Sequence, residues 1–404
     1  MIQPFELGTD DIAATVTQLP KGFTGAGVNC GVRKYRPDLG LIVSDFDCAA
    51  SGVFTKNKIK GASLLDAMSK LPGQKIRAIV TNSGQANTAT GEGGVQDNKR
   101  MVDEVAQLVD VSPGQVLSAS TGVIGVPLEI EKICRAMPEL KSRLTTSANQ
   151  FATAILTTDL VPKMVSTEIV LSEGTVRLTG ICKGSGMIHP NMATMLGYFL
   201  TDAKMEPGLV DQLLKESTND SFNMISVDGE TSTNDSVFFL ANGASEVELK
   251  DPKDIEVFRE KLMQMSKFLA QSIARDGEGA TRLIQFKLNG VVDNDESRRL
   301  ARSLSISPLI KTAINGCDPN WGRIVARLGM EGIEANAILE VQVQGMTVWS
   351  RGEGIQFDDA ELSRQMRSDS VTIDIQLNLG ADSITAWSCD YSVKYIEINA
   401  DYRT

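Results

Sequence analysis

The chain has 404 residues, 42% of them hydrophobic and 23% charged, the balance of a globular protein long enough for two or three domains. Lys plus Arg number 40 against 51 Asp plus Glu, a net charge of −11, which argues against nucleic acid and anionic membrane as partners. The single histidine, His189, excludes a multi-histidine zinc site and the H-E-x-x-H helix, and any Ser-His-Asp or Cys-His arrangement would have to use that one imidazole.

Taken in chain order, the opening MIQPFELGTDD lacks the basic and apolar stretches of a secretory signal. No apolar run reaches the roughly eighteen residues that a spanning helix needs, so a cytoplasmic protein is expected. The glycine-rich run Gly22 to Gly27 fails the dinucleotide-binding spacing and reads as a turn. LGLIVSDF and KIRAIVTNS are dense in β-branched residues and read as strands. DNKRMVDEVAQLVD puts Met101, Val105 and Leu108 on one helical face, and Ser112-Pro113-Gly114 marks its end. KMVSTEIVL, TVRLTGICK and MLGYFL follow as strands, then helices at LVDQLLKEST and DIEVFREKLMQMSKFLAQSIARD. The acidic run Asp293 to Glu296 lacks the glycine of a calcium loop and reads as a helix start. Towards the C-terminus ANAILEVQVQG, SVTIDIQLNL, ITAWSCDYSV and YIEIN mostly alternate apolar and polar residues, as half-buried strands do. The expected fold is mixed α/β, more β-rich in its C-terminal part. The six cysteines form no C-x-x-C pair and read as reduced, mostly buried thiols.

P-loop, nucleophile-elbow and S-x-x-K signatures are absent. Four polar, glycine-rich islands stand out instead: Asn82 to Asn87, Ser118 to Gly125, Lys183 to Thr194, and Gly316 to Arg323. Small residues after strands let backbone N–H groups approach a ligand or an oxyanion, although each island also reads as a tight connecting turn. The residues taken alone stop at an α/β enzyme without metal or nucleotide.

The third island, KGSGMIHPNMATML, resembles the self-cleavage site of the ornithine acetyltransferase family, the glutamate N-acetyltransferases of arginine biosynthesis. NSGQANTATG, SASTGVIG, Thr157-Thr158-Asp159, DGEGATR, SPLIKTAINGCDPNWGR and the closing NADYRT resemble further signatures of that family, in the family's order. The resemblance implies a layered α/β/β/α sandwich and a precursor that cuts itself between Ala193 and Thr194. An α chain of residues 1–193 and a β chain of 194–404 would then remain associated, as an oligomer of heterodimers. Thr194 becomes an N-terminal nucleophile whose own α-amine, titrating near about 7.7–8.0, serves as base, so no histidine is needed. Thr121 and Gly122 match the oxyanion pair. Thr157 or Thr158, Lys183, Thr194, Glu278, Asn399 and Thr404 match substrate-binding positions. Lys183 would meet the substrate α-carboxylate and Glu278 the ornithine ammonium.

The implied reaction moves an acetyl group from N-acetylornithine to glutamate through an acetyl-threonine ester. It needs no cofactor, and acetyl-CoA is a second donor in bifunctional members. A self-processing amidase or aminopeptidase that passes the acyl group to water is the competing enzyme, and an uncleaved amino-acid-binding homologue the competing non-enzyme. His189 reads as structural. No catalytic role attaches to DPNWGR, for which packing around Trp321 and an Asp318–Arg323 contact are expected.

Overall fold

The computed structural model describes residues 17–189 and 195–401. Its strands are β1 (Phe23–Val28), β2 (Leu39–Phe54), β3 (Gly73–Gln85), β4 (Val116–Val123), β5 (Lys163–Leu171), β6 (Gly174–Lys183), β7 (Leu196–Thr201), β8 (Ile225–Ser226) and β9 (Ser236–Ala241). All of these except β8 build one sheet in the order β4-β3-β2-β9-β7-β6-β5, with β1 beside β2. A second sheet joins β8 to β10 (Leu283–Val291), β11 (Ile338–Val343), β12 (Met346–Ser350), β13 (Glu353–Gly354), β14 (Ser370–Leu377) and β15 (Asp382–Cys389). Its order is β13-β12-β11-β14-β10-β15-β8, and the mixed α/β class read from the sequence is the one that forms.

β7 is, with β9, a fully enclosed strand of the first sheet. All six of its residues are buried, and it pairs antiparallel with β6 and parallel with β9. A strand shielded on both faces reads as a continuous apolar run, which is what LGYFLT is.

The helix Pro252–Arg275 joins the two sheets, packing against β5 and β6 of the first and β15 of the second. Phe258, Leu262, Met265, Leu269 and Ile273 recur three or four residues apart and are all buried. Asp251 caps its start by accepting from the Lys253 N–H at 2.7 Å, with Pro252 in the first turn.

Two expectations of secondary structure are corrected. The glycine-rich run is not a turn: from Phe23 onward it forms β1, paired residue for residue with Leu39 to Ser44 of β2. Its small residues answer to packing, because a Cβ on Gly27 would overlap the carbonyl of Gln150 in the helix Asn149–Ala154. YIEIN is not a strand but part of the helix Val393–Asp401. β15 already has β10 and β8 on its two edges, so no ladder is open to a further strand there.

DPNWGR opens the helix Trp321–Met330, with Asn320 accepting from the Arg323 N–H at 3.2 Å. Trp321 packs against the core as expected. The Arg323 guanidinium, however, reaches the Leu309 carbonyl at 2.7 Å, while Asp318 takes the Asn320 amide at 3.1 Å. All six cysteines carry free thiols, and among the described residues no helix is long and apolar enough to cross a membrane.

Gly27→Ala should cost about 1–3 kcal/mol through overpacking against the Gln150 carbonyl, read as a lower urea midpoint at unchanged slope. An unchanged midpoint would mean that the helix Asn149–Ala154 yields without penalty.

Candidate active site

Three of the four polar islands lie at strand ends, those of β3, β4 and β6, and the pairing of the strands brings those ends together, while the fourth, Gly316 to Arg323, connects two helices and does not line the same cavity. β3 and β4 run parallel, so Ser83 lies opposite Thr121 and Gly84 opposite Gly122. Gly122 sits at φ +129°, and a Cβ there would overlap the Gly84 backbone, so only glycine fits. In the neighbouring strands Lys183 pairs with Leu196, and Leu196 with Ser236. The Lys183 Nζ crosses to Thr121 Oγ1 at 3.4 Å.

Asn234, just before β9, ties the two groups of strand ends together. Its amide nitrogen donates to the Ala86 carbonyl at 2.6 Å and to the Ser120 carbonyl at 3.0 Å. Its amide oxygen accepts from the Thr88 and Thr233 hydroxyls. The adjacent Asp235 is 2% exposed and accepts from the Met195 N–H, while its Oδ2 has no hydrogen-bond partner among the described residues. Burial pushes its carboxyl well above the usual range, against the pull of these donors and of Lys183.

Beneath Lys183 lies a buried ion triad. Lys163 Nζ is 2.7 Å from Asp159 Oδ1 and 2.6 Å from Asp276 Oδ2. Asp159 also accepts the Gly184 N–H at 2.7 Å and the Thr157 N–H at 3.0 Å, and its Oδ2 lies 4.0 Å from Lys183 Nζ. Burial would raise the Asp159 carboxyl, but Lys163 and Lys183 outweigh it and hold the group below its ordinary value. Burial likewise works against the Lys163 ammonium, which its two carboxylates nevertheless lift to about 12. Asp276, with one oxygen unpartnered among the described residues, stays raised by burial. For Lys183 burial outweighs the nearby carboxylates, and its ammonium is easier to deprotonate than usual.

The opposite wall is acidic. Glu278 is placed by its own N–H, which donates to the Ser185 carbonyl at 2.8 Å. Gly186 packs so closely on the Glu278 carboxyl that any Cβ would overlap it. From the C-terminal helix, Asn399 Nδ2 donates to Glu278 Oε2 at 2.8 Å. Asp228 accepts from the Met187 and Ile188 N–H groups at 2.6 and 2.9 Å, and Tyr395 O–H approaches it at 3.4 Å.

These walls enclose a cavity of about 400 Å³. Thr121, Gly122, Thr157, Thr158, Lys183, Glu278 and Asn399, the seven described positions singled out from the sequence, all line it. Ala193, Thr194 and Thr404 lie outside the described residues. Among the described residues no cluster of three or more His, Cys, Asp or Glu side chains could hold a metal ion.

Sequence reasoning missed Asn234, Asp235, Asp228 and Tyr395. The first two carried a readable signal, a polar stretch (ETSTND) running into the apolar strand SVFFLA, the same pattern as the recognised islands.

His189 is structural in its contacts, with Nδ1 3.3 Å from Ser226 Oγ and its carbonyl accepting from Thr231 at 3.1 Å. Burial, with help from Arg302, pulls its pKa down to about 4. The unfolded chain therefore binds this proton first, and stability falls as pH drops from about 6.5 towards 4. His189→Gln should remove up to about 3 kcal/mol of that loss, measured by urea unfolding across the window; parallel profiles for the two proteins would refute it. Lys163→Met leaves two carboxylates buried without their cation. It should cost on the order of 3–5 kcal/mol, read as a fall in the unfolding midpoint.

Two sheets with a charged cavity at the strand ends of the first are those of a mixed α/β enzyme. Residues 24–404 match the ArgJ family. The arginine biosynthesis bifunctional protein ArgJ of Chlorobaculum tepidum is 42% identical over 400 residues, covering 98% of each chain. The protein of the same name from Bacillus anthracis is 40% identical over 390 residues, 95% of this chain and 96% of the other. A crystal structure of arginine biosynthesis bifunctional protein argJ from Bacillus halodurans is 36% identical, covers 43% of this chain and 91% of that one, and has a TM-score of 0.41. The chain belongs to the ArgJ family and is an acyltransferase of arginine biosynthesis.

Proposed function

We propose that the chain cuts itself between Ala193 and Thr194 and then transfers the acetyl group of N2-acetyl-L-ornithine to L-glutamate. In self-cleavage the Thr194 hydroxyl attacks the Ala193 carbonyl, the peptide C–N bond breaks, and water hydrolyses the resulting ester. The freed α-amine then takes the proton of its own hydroxyl as Thr194 attacks the acetyl carbonyl of the donor. The amide C–N bond breaks and ornithine leaves with the proton. The glutamate amine attacks the acetyl-threonine ester, N-acetylglutamate leaves, and the proton returns to Thr194. No metal or cofactor is required for these steps to balance.

The observation that carries this reading is the convergence of seven positions, scattered from Thr121 to Asn399, on one cavity. A buried lysine on one wall and carboxylates on the other suit the α-carboxylate and side-chain ammonium of ornithine. Thr121 and Gly122, held against β3 and by the Asn234 clamp on Ser120, would supply oxyanion donors. Of the two candidate threonines, Thr158 has its hydroxyl paired with Ser185 at 2.7 Å, which favours Thr157 as the substrate contact. The α and β chains would stay together after cleavage, because β7 of the second is a buried inner strand beside β6 of the first. The same reading extends to acetyl-CoA as an alternative donor, in keeping with the word bifunctional in the relatives' names.

Intact-mass measurement after brief incubation with N-acetylornithine should show two chains split before Thr194, the C-terminal one carrying a single acetyl group. Thr194→Ala should give one unmodified chain of full length. An uncleaved, unmodified natural chain overturns the reading, and cleavage without an adduct turns it towards an amidase.

A further inference from the structure

The proposed reaction sets the cavity a problem that its assigned residues do not solve. Resting on that reading, the same acidic wall must receive first a side chain ending in an ammonium and then one ending in a carboxylate. Lys183 meets the α-carboxylate of either substrate, but the glutamate side chain would face Glu278 and Asp228, which repel it. Such a tail needs a hydrogen-bond donor on that wall that can turn towards it.

The donors there are not equally free. Asn399 Nδ2 is committed to Glu278 Oε2 at 2.8 Å and to the Tyr395 carbonyl at 3.0 Å. Asn57 and Thr231 give theirs to the Thr231 and His189 carbonyls. Asn234 holds Ala86 and Ser120. Among the described residues Tyr395 O–H makes only a long contact of 3.4 Å to Asp228 Oδ2, and Asp228 is already served by the N–H groups of Met187, Ile188 and Glu230. Turning the phenol away leaves no acceptor stranded.

The ring itself is held firmly, so that only the hydroxyl is left to swing. Tyr395 stacks on Tyr391 with centroids 5.0 Å apart and planes 27° from parallel. The other partner of Tyr391 is Lys311, whose Nζ lies 4.4 Å from the ring centroid. Lys311 is 0% exposed, donates to Ser388 Oγ at 2.7 Å and to the Cys389 carbonyl, and forms no ion pair with a carboxylate among the described residues. The SPLIKTAING segment thus supplies the buried cation on which the two-tyrosine stack rests.

We propose that Tyr395 is a specificity-determining residue whose phenol lets one cavity take both substrates. With ornithine bound, O–H stays on Asp228 and the phenol oxygen accepts from the substrate ammonium. With glutamate bound, the same O–H turns and donates to the side-chain carboxylate. Burial and the Asp228 carboxylate both push the phenol above its ordinary pKa, so it remains a donor at neutral pH. Lys311 is a positioning residue for this group.

Tyr395→Phe keeps the stack and removes the hydroxyl. The two half-reactions are read separately, as ornithine released from N-acetylornithine in a single turnover and as the KM for glutamate in the steady state. Loss of a hydrogen bond to a charged group should raise the glutamate KM by about ten- to a hundredfold, with ornithine release slowed by only a few-fold, because Glu278 and Asp228 still hold the substrate ammonium. With 2-aminobutyrate as acceptor, which lacks the side-chain carboxylate, the difference between the two proteins should vanish. An unchanged glutamate KM, equal losses in both half-reactions, or the same penalty with 2-aminobutyrate would overturn the proposal. Failure of the natural protein to release ornithine at all would instead overturn the acetyl-transfer reading, and the role of Tyr395 with it.

Discussion

A lysine ammonium buried between two carboxylates is the constraint from which the cavity takes its shape. Asp159 comes from the turn after the helix Asn149–Ala154, Lys163 opens β5, and Asp276 ends the long helix Pro252–Arg275. Charges so deeply buried are tolerated only when every partner is in place, so the three segments have a single mutual arrangement. Asp159 carries that arrangement outward through its bonds to the Thr157 and Gly184 N–H groups and its approach to Lys183. The turn with the two threonines, the glycine-rich segment and the cavity lysine are thus all referred to one buried centre.

A second polar seam plays the corresponding part at the other end of Lys183. Asn234 bonds the carbonyls that flank the strand ends of β3 and β4, and Asp235 takes the N–H of Met195 at the entry to β7. Apolar packing alone would leave these strand ends free to slide relative to one another, because a hydrophobic face specifies which side is buried more strongly than which atoms meet. Buried amide and carboxyl groups are less forgiving, since a shift of one residue would leave them unsatisfied in a medium of low polarity.

The second sheet contributes little of its own to the cavity but anchors the segment that closes it. Lys311 ties the helix Pro308–Asn315 to the end of β15, and Tyr391 lies over its ammonium just before the C-terminal helix begins. Ser392 adds a bond from its hydroxyl to the Gly279 carbonyl at 2.6 Å. The chain's last described helix has no buried residue of its own and is held by these few directed contacts. This is the arrangement of an element that forms a cavity wall without belonging to the core.

Much of this is legible in the sequence itself. KMVSTEIVL is β5 residue for residue, DIEVFREKLMQMSKFLAQSIARD lies within the long helix but for its last residue, the C-cap Asp276, and the acidic run at Asp293 opens a helix capped by Asn294. These are local matters, governed by periodicity and by caps within a few residues. YIEIN went astray because its pattern suits a strand only where a sheet edge is open, and the edges of β15 were already taken. Gly22 to Gly27 reads as a turn although most of it is a strand, because Gly27 answers to a helix more than a hundred residues away in sequence. By itself, then, the sequence determined many of the strands and helices and which small polar residues stood ready for chemistry. The tertiary structure alone decided that Gly84 meets Gly122, that Asn234 reaches Ser120 and that Asn399 reaches Glu278. Each of those contacts joins residues far apart in the chain, and its existence depends on how the sheets are ordered, which no local pattern encodes.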